Sequence, residues 1–222
     1  MTTATGLDLL HEAQRKRDLR TVLRQARLTL DGWHRERATQ RLCARVARLR
    51  SFRSARRIGA YLAAPGEVEV ARLIADALAA GKEVYVPLMR ADDHLSFVRF
   101  TERTRLAANR FGLYEPVHPD SLHTVAPMQL DLVLTPLVGF DDAGNRLGMG
   151  GGYYDRTFAP LLQRHYWQRP QLVGVAFECQ RVTHALPREP WDIPLRQVMT
   201  ESARYPHACS SRQGVHDACS TG

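Results

Sequence analysis

Apolar positions recur at helical spacing along the first fifty residues, then gather into short continuous runs. Leu19, Leu23, Ala26 and Leu30 share one face of a helix predicted over 8–30, and Arg17, Arg20, Arg24 and Arg27 line another. A second helical pattern covers about 32–50, with Arg37, Arg41, Arg45 and Arg48 spaced alike. The run RIGAYLAA (57–64) ends at Pro65-Gly66 and predicts a buried strand. Residues 69–82 form an amphipathic helix with Gly81 as its stop. EVYVPLM (83–89) and LSFVRF (95–100) are strands that pair around the turn Ala91–His94. LDLVLTPLVGF (130–140) is the most apolar segment and belongs in the middle of a sheet. A helix follows over 154–166, then strands over 171–178 and 196–202.

Strand and helix alternate from residue 57 onward. The expected fold is therefore α/β: one three-layer α/β/α domain over 8–204, with a largely parallel, mixed central sheet and a basic N-terminal helical segment. Its ligands belong at the carboxyl ends of the strands. Residues 205–222 are small, polar and aperiodic, the pattern of a disordered tail. No run is long enough for a membrane span, and the first residues lack a basic segment followed by an apolar one, so a cytoplasmic protein is expected. The cysteines at 43, 179, 209 and 219 form no CxxC pair and fit reduced thiols.

Charge sharpens this picture. The net charge is +8, but residues 1–57 hold fifteen Lys and Arg against five Asp and Glu, and the rest holds sixteen against eighteen. A basic segment on a nearly neutral body attracts an anion: nucleotide phosphates, a polycarboxylate or nucleic acid. A solvated helix face is the plainer reading of the same arginines.

The stretch RLGMGGGYYDR (146–156) carries the chemistry. It fails GxxxxGK[ST] for want of a lysine, and it fails GxGxxG at Tyr153. Its ingredients are still those of an anion seat: bare amides after a buried strand and ahead of a helix. Asp155 would repel a phosphate unless a dication such as Mg²⁺ lay between them, or it merely caps the helix. Tyr153 and Tyr154 are either core aromatics or a platform for a planar ligand.

LTPLVGFDDAGNRLGMGGGYYDRTF (134–158) closely resembles the signature of the 5-formyltetrahydrofolate cyclo-ligase family. KRDLR (16–20), YLAAPGEVEVARLI (61–74), FGLYEP (111–116) and REPWDIPLRQVMTES (188–202) resemble its other motifs, in the same order. The likeness spans about 12–203. It implies a cytoplasmic, monomeric enzyme of one-carbon metabolism acting on small molecules, with no nucleic-acid or membrane partner. The implied reaction converts 5-formyltetrahydrofolate and ATP, with Mg²⁺, to 5,10-methenyltetrahydrofolate, ADP and phosphate.

The resemblance also implies site residues. Lys16 and Arg20 match the phosphate-contacting pair, and residues four apart do share a helix face. Arg146, Leu147, Gly148, Met149, Gly150, Gly151, Gly152, Tyr153 and Tyr154 match the ATP loop. Within it Met149 to Tyr153 also form the wall against folate, joined there by Leu62 and Glu67. Asp155 and Asp192 match the magnesium carboxylates, although EPWDIP by itself reads as a capped turn. Arg146, Tyr153 and Asp155 are the expected catalytic residues. Some members carry basic side chains inside the glycine loop where this chain has Met149 and Gly151, so the charge must come from Arg146 or the first helix.

Two other classes stay open on residues alone. One is a basic nucleic-acid-binding protein; the other is a sugar-phosphate isomerase or CoA-transferase-like enzyme of related fold. His207, Cys209, His216 and Cys219 could in principle bind zinc, at a spacing that fits no compact site well.

Overall fold

A computed structural model describes residues 6–117, 123–163 and 169–206 of the chain. The zinc reading, nearly all of the expected tail and the end of the helix predicted over 154–166 lie outside them.

Three helices come first: α1 (Gly6–Leu28), α2 (Gly32–Ala47) and α3 (Arg50–Ser54). Asp31 caps α2 by accepting the N–H of His34 at 2.8 Å. The chain then runs through β1 (Arg57–Gly59), α4 (Ala71–Ala79), β2 (Glu83–Met89), β3 (Leu95–Phe100), the hairpin β4 (Leu106–Ala108) and β5 (Tyr114–Pro116), and β6 (Thr124–Val125). It continues with β7 (Leu132–Pro136), the small pair β8 (Gly139–Phe140) and β9 (Arg146–Leu147), α5 (Tyr153–Phe158), β10 (Gln171–Val175), β11 (Gln197–Met199) and β12 (Arg204–Tyr205).

Eight strands form one sheet in the order β12-β11-β10-β7-β1-β2-β3-β6. The five central strands are parallel; β12, β3 and β6 are antiparallel edges. From β1 the chain crosses to β2 on one side, and later β7 and β10 build outward on the other. The order therefore reverses between β1 and β7, and loops leaving adjacent strand ends diverge there to open a crevice.

The pleat sends alternate residues into two cores. Leu132, Leu134, Val173 and Val175 pack with α2 and α4, through Leu42, Val46, Leu73 and Ile74. Val133, Leu172 and Val198 pack the other way with Phe97, Phe140 and Phe158 of α5. Leu132, Val133 and Val173 are fully buried, each worth roughly 1.5–3 kcal/mol on removal from water. The second face carries only the six-residue α5 and irregular turns, so the expected alternation of strand and helix holds for the crossovers to β2 and β10 and fails elsewhere.

Several boundaries differ from expectation for visible reasons. The strand expected over 57–64 keeps its ladder only to Gly59; the Ala60 N–H still bonds Tyr85, and then the chain turns into the loop that carries Glu67. The strand expected over 130–140 breaks at Pro136, which has no N–H to continue the ladder. The long helix expected over 32–50 ends at Ala47, and Leu49 starts α3.

Asp131 ties the start of the sheet together. Its Oδ2 accepts the N–H groups of Arg56 and Arg57, each at 2.9 Å, and its Oδ1 accepts from Arg169 at 2.8 Å. Burial works against the charge, but these donors prevail and hold the carboxyl below its ordinary pKa. The contribution is present above the unfolded carboxylate value of about 4 and fades as pH falls through the lower folded value. Asp131→Asn should cost about 1–2 kcal/mol at neutral pH and flatten the acid limb of a Tm-against-pH series. An unchanged Tm at neutral pH would contradict this account.

Candidate active site

The crevice at the β1/β7 reversal is a cavity of about 570 Å³. Leu62 and Glu67 enter it after β1, Met89 at the end of β2, and Pro136 at the end of β7. The glycine loop after β9 forms one wall, and the β4–β5 hairpin faces it with Phe111, Tyr114 and Glu115. Lys16 and Arg20 of α1 and the turn Glu189–Asp192 close the remaining side.

The loop needs glycine for its path. Gly150 has φ +104° and Gly152 has φ +66°, and a Cβ on Gly152 would lie 2.7 Å from Arg156 Nη1. Gly152 sits at the N-terminus of α5 without a side-chain cap. Three guanidiniums hold the loop by its carbonyls. Arg20 Nε donates to Gly148 at 2.9 Å, Arg24 Nη2 to Met149 at 3.4 Å, and Arg156 Nη2 to Gly151. With those carbonyls occupied, the bare amides are the groups left for an anion, and the charge missing at Met149 and Gly151 arrives from α1 and α5.

α1 is set by Leu23, which is buried beside Val138, Leu147, Val182 and Leu186. Gly139 makes room for it: a Cβ there would lie 2.4 Å from Leu23 Cδ1. This counts against the plainer reading of these basic residues as a solvated helix face. Lys16 and Arg20 do not stand on an exposed face; they are part-buried over the cavity, and Arg27 is 4% exposed. Burial, with Arg24 and Arg17 close by, lowers the Arg20 guanidinium from its ordinary pKa. Lys16 Nζ lies 3.1 Å from Glu189 and 3.9 Å from Asp192.

Asp155 is no helix cap. Its Oδ1 accepts from Arg146 Nη2 and, at 3.0 Å, from the N–H of Ile193. Asp192 does cap its turn, accepting the N–H of Glu189 at 2.8 Å, and it lines the cavity as well. The Ile193 amide joins the two carboxylates' neighbourhoods although the residues stand far apart in sequence. Among the described residues Asp155 Oδ2 and Asp192 Oδ1 have no hydrogen-bond partner, and the side chains are 18% and 27% exposed. Among the described residues no group of three or more His, Cys, Asp or Glu could cage a metal. Two carboxylates with one oxygen each to spare fit Mg²⁺, which keeps waters and takes substrate phosphates.

Tyr153 and Tyr154 are core and cavity at once. Both pack on the second core and line the cavity. Arg156 lies 5.4 Å from the Tyr153 ring centroid, and Arg146 lies 5.9 Å from that of Tyr154. Burial pushes the Tyr154 phenol far above its ordinary pKa. Among the described residues its buried hydroxyl has no partner, nor has Arg146 Nε. Unpaired buried donors cost roughly 1–3 kcal/mol each, so their presence in a cavity wall marks where a ligand's acceptors belong.

Residues 12–201 match the sequence profile of the 5-formyltetrahydrofolate cyclo-ligase family. The chain belongs to that family. It is similar to the 5-formyltetrahydrofolate cyclo-ligase of Haemophilus influenzae, 37% identical over 191 residues that cover 84% of this chain and 97% of that one. The cyclo-ligase of Escherichia coli K12 is 36% identical over 184 residues, covering 82% and 97%. Among solved structures, Aquifex aeolicus 5,10-methenyltetrahydrofolate synthetase superposes with a TM-score of 0.72 at 30% identity, covering 90% of this chain and 97% of that one.

Every residue that the cyclo-ligase resemblance singled out lines this one cavity: Lys16, Arg20, Leu62, Glu67, the segment Arg146–Asp155, and Asp192. Others were missed. Phe111, Tyr114 and Trp191, exposed by 57%, 60% and 63%, rim the mouth together with Met149. All three stand inside the quoted motifs FGLYEP and REPWDIPLRQVMTES, and large aromatics within such motifs are the signal that could have marked them.

Proposed function

We propose that this chain cyclises 5-formyltetrahydrofolate to 5,10-methenyltetrahydrofolate at the expense of ATP, in the presence of Mg²⁺. The observation that carries the reading is the union, in one cavity, of an amide-rich glycine loop beneath guanidiniums and an enclosed carboxylate, Glu67, among aromatic side chains. The first suits phosphates and the second a planar heterocycle with N–H donors.

An N-formyl amide resists internal attack because its oxygen is a poor leaving group. Transfer of the γ-phosphoryl to that oxygen breaks the β–γ bridge and releases ADP. N10 then attacks the formyl carbon and gives up its proton to solvent, and the C–O bond breaks to free phosphate. Such chemistry asks for positioning and charge neutralisation more than for a protein nucleophile. Lys16, Arg20 and the amides of 148–152 would hold the phosphates, while Tyr153, Leu62 and Glu67 orient the folate. Arg146 keeps Asp155 in place. Asp155 and Asp192 would hold the Mg²⁺, which when bound neutralises phosphate charge.

The enzyme works on small molecules as a cytoplasmic monomer, without a nucleic-acid or membrane partner. Arg20, Arg24 and Arg27 turn inward onto the protein instead of forming an outer basic stripe, which favours the small-molecule reading over a nucleic-acid one. Mixing the chain with 5-formyltetrahydrofolate and Mg-ATP should produce the methenyl chromophore together with equimolar ADP. Absence of folate-dependent ADP would favour an isomerase-like or transferase-like activity instead.

A further inference from the structure

Arg27 is a charged side chain of α1 that the cavity wall does not include, yet it is buried against a residue of that wall. Its Nη1 lies 3.7 Å from Glu67 Oε1, with the two side chains 5% and 9% exposed. Its Nη2 donates to the Pro65 carbonyl at 3.4 Å. Arg35 of α2 donates to the Gly66 carbonyl at 3.0 Å, and its other Nη bonds the carbonyls of Arg27 and Leu30 at 2.7 and 3.3 Å. Two guanidiniums thus clasp the turn 64–67, and Glu67 Oε2 closes it by accepting the Ala64 N–H at 3.1 Å.

A carboxylate so enclosed turns neutral unless a cation stands beside it. Burial raises the Glu67 pKa; the Ala64 N–H and Arg27 oppose the rise. The other groups facing Glu67 are Tyr61, from the segment after β1, and Tyr154 of α5. Burial keeps both phenols neutral, and Tyr61 donates its proton to the Val68 carbonyl at 2.8 Å. Arg24 and Arg35 flank Arg27, and Arg146 stands next to Tyr154. Among the described residues Arg27 is therefore the cation in direct reach of Glu67.

We infer that Arg27 is a positioning residue for the folate site: it keeps the Glu67 carboxylate ionised and oriented as an acceptor for the N–H donors of the bound heterocycle. This rests on the reading of Glu67 as a folate contact. Without Arg27 nothing beside the Ala64 N–H would oppose burial, which favours the neutral carboxyl and an O–H where an acceptor is needed. The same guanidinium contacts no ligand itself.

The test is the KM for 5-formyltetrahydrofolate between about pH 6 and about pH 9 in Arg27→Met, Arg27→Lys, Glu67→Gln and the double variant Arg27→Met/Glu67→Gln. In Arg27→Met the folate KM should rise about tenfold or more at the acid end and fall back as pH rises and Glu67 ionises, with a smaller effect on the KM for ATP. Arg27→Lys should restore a flat profile. The double variant should match Glu67→Gln alone, because a residue acting only through Glu67 adds nothing once that carboxylate is gone. It also leaves no unpaired buried charge, so it carries the test if Arg27→Met fails to fold. A pH-independent loss in Arg27→Met, or a double variant worse than Glu67→Gln by the full Arg27→Met factor, would overturn the inference. If Glu67→Gln raises the folate KM and Arg27→Met does not, the inference alone fails. If Glu67→Gln changes nothing, the assignment of Glu67 to folate fails with it.

Discussion

Asp155→Asn should fold and yet lose at least about a hundredfold in kcat, the scale on which removal of one preorganised charge group acts. The folded state survives because an asparagine oxygen can still accept from Ile193 N–H and from Arg146, the two bonds Asp155 Oδ1 makes. What disappears is the negative charge. Arg146, whose side chain is only 6% exposed, is left as an unpaired cation beside the nucleotide loop, and the proposed metal pair is reduced to Asp192. The concentration of Mg²⁺ giving half-maximal activity should therefore rise at least about tenfold. A variant with lowered kcat and an unaltered Mg²⁺ requirement would assign Asp155 to holding Arg146 and remove it from the metal.

Arg20→Ala is expected to raise the KM for ATP about thirtyfold, near 2 kcal/mol, the worth of a hydrogen bond made by a charged group. Two losses combine in it. The guanidinium no longer offers its charge to the phosphates, and Gly148 loses the Nε donor that its carbonyl accepts from at 2.9 Å. Arg20→Lys should recover part of the charge effect without the Nε bond. Equal KM values for ATP in wild type and Arg20→Ala would show that α1 covers the loop without touching the nucleotide. Because Arg20 is part-buried, a thermal melt belongs beside the kinetics.

The sheet's centre was legible for a simple reason. Runs such as Leu132–Pro136 and Gln171–Val175 bury both faces, so they are mostly apolar and carry no helical period. The β4–β5 hairpin was not legible. Its residues Leu106, Ala107 and Ala108 are all exposed, and its turn is made by Asn109 Oδ1 accepting from Phe111 and Leu113, a local signal with no apolar pattern around it.

At the site, the helix-face logic correctly put Lys16 and Arg20 together but misjudged their exposure. Which side of a basic helix turns inward depends here on Leu23 entering the space above Gly139, a contact between distant segments. Arg27 shares the spacing of Arg20 and Arg24, and nothing in that spacing tells that it is enclosed with Glu67, forty residues on. Asp155 stood where a cap would stand, and only the Ile193 amide, brought in from the closing motif, shows that it bonds elsewhere.

The central claim is that the amides of 148–152 seat the phosphates of ATP while Glu67 holds the folate in the same cavity. A crystal structure with a non-hydrolysable ATP analogue, Mg²⁺ and 5-formyltetrahydrofolate tests it most directly. The account predicts the phosphates against Gly150–Gly152 and Arg20, with the heterocycle on Glu67 and the formyl oxygen directed at the terminal phosphate. Nucleotide density outside that cavity, with the glycine loop touching no phosphate, would contradict it.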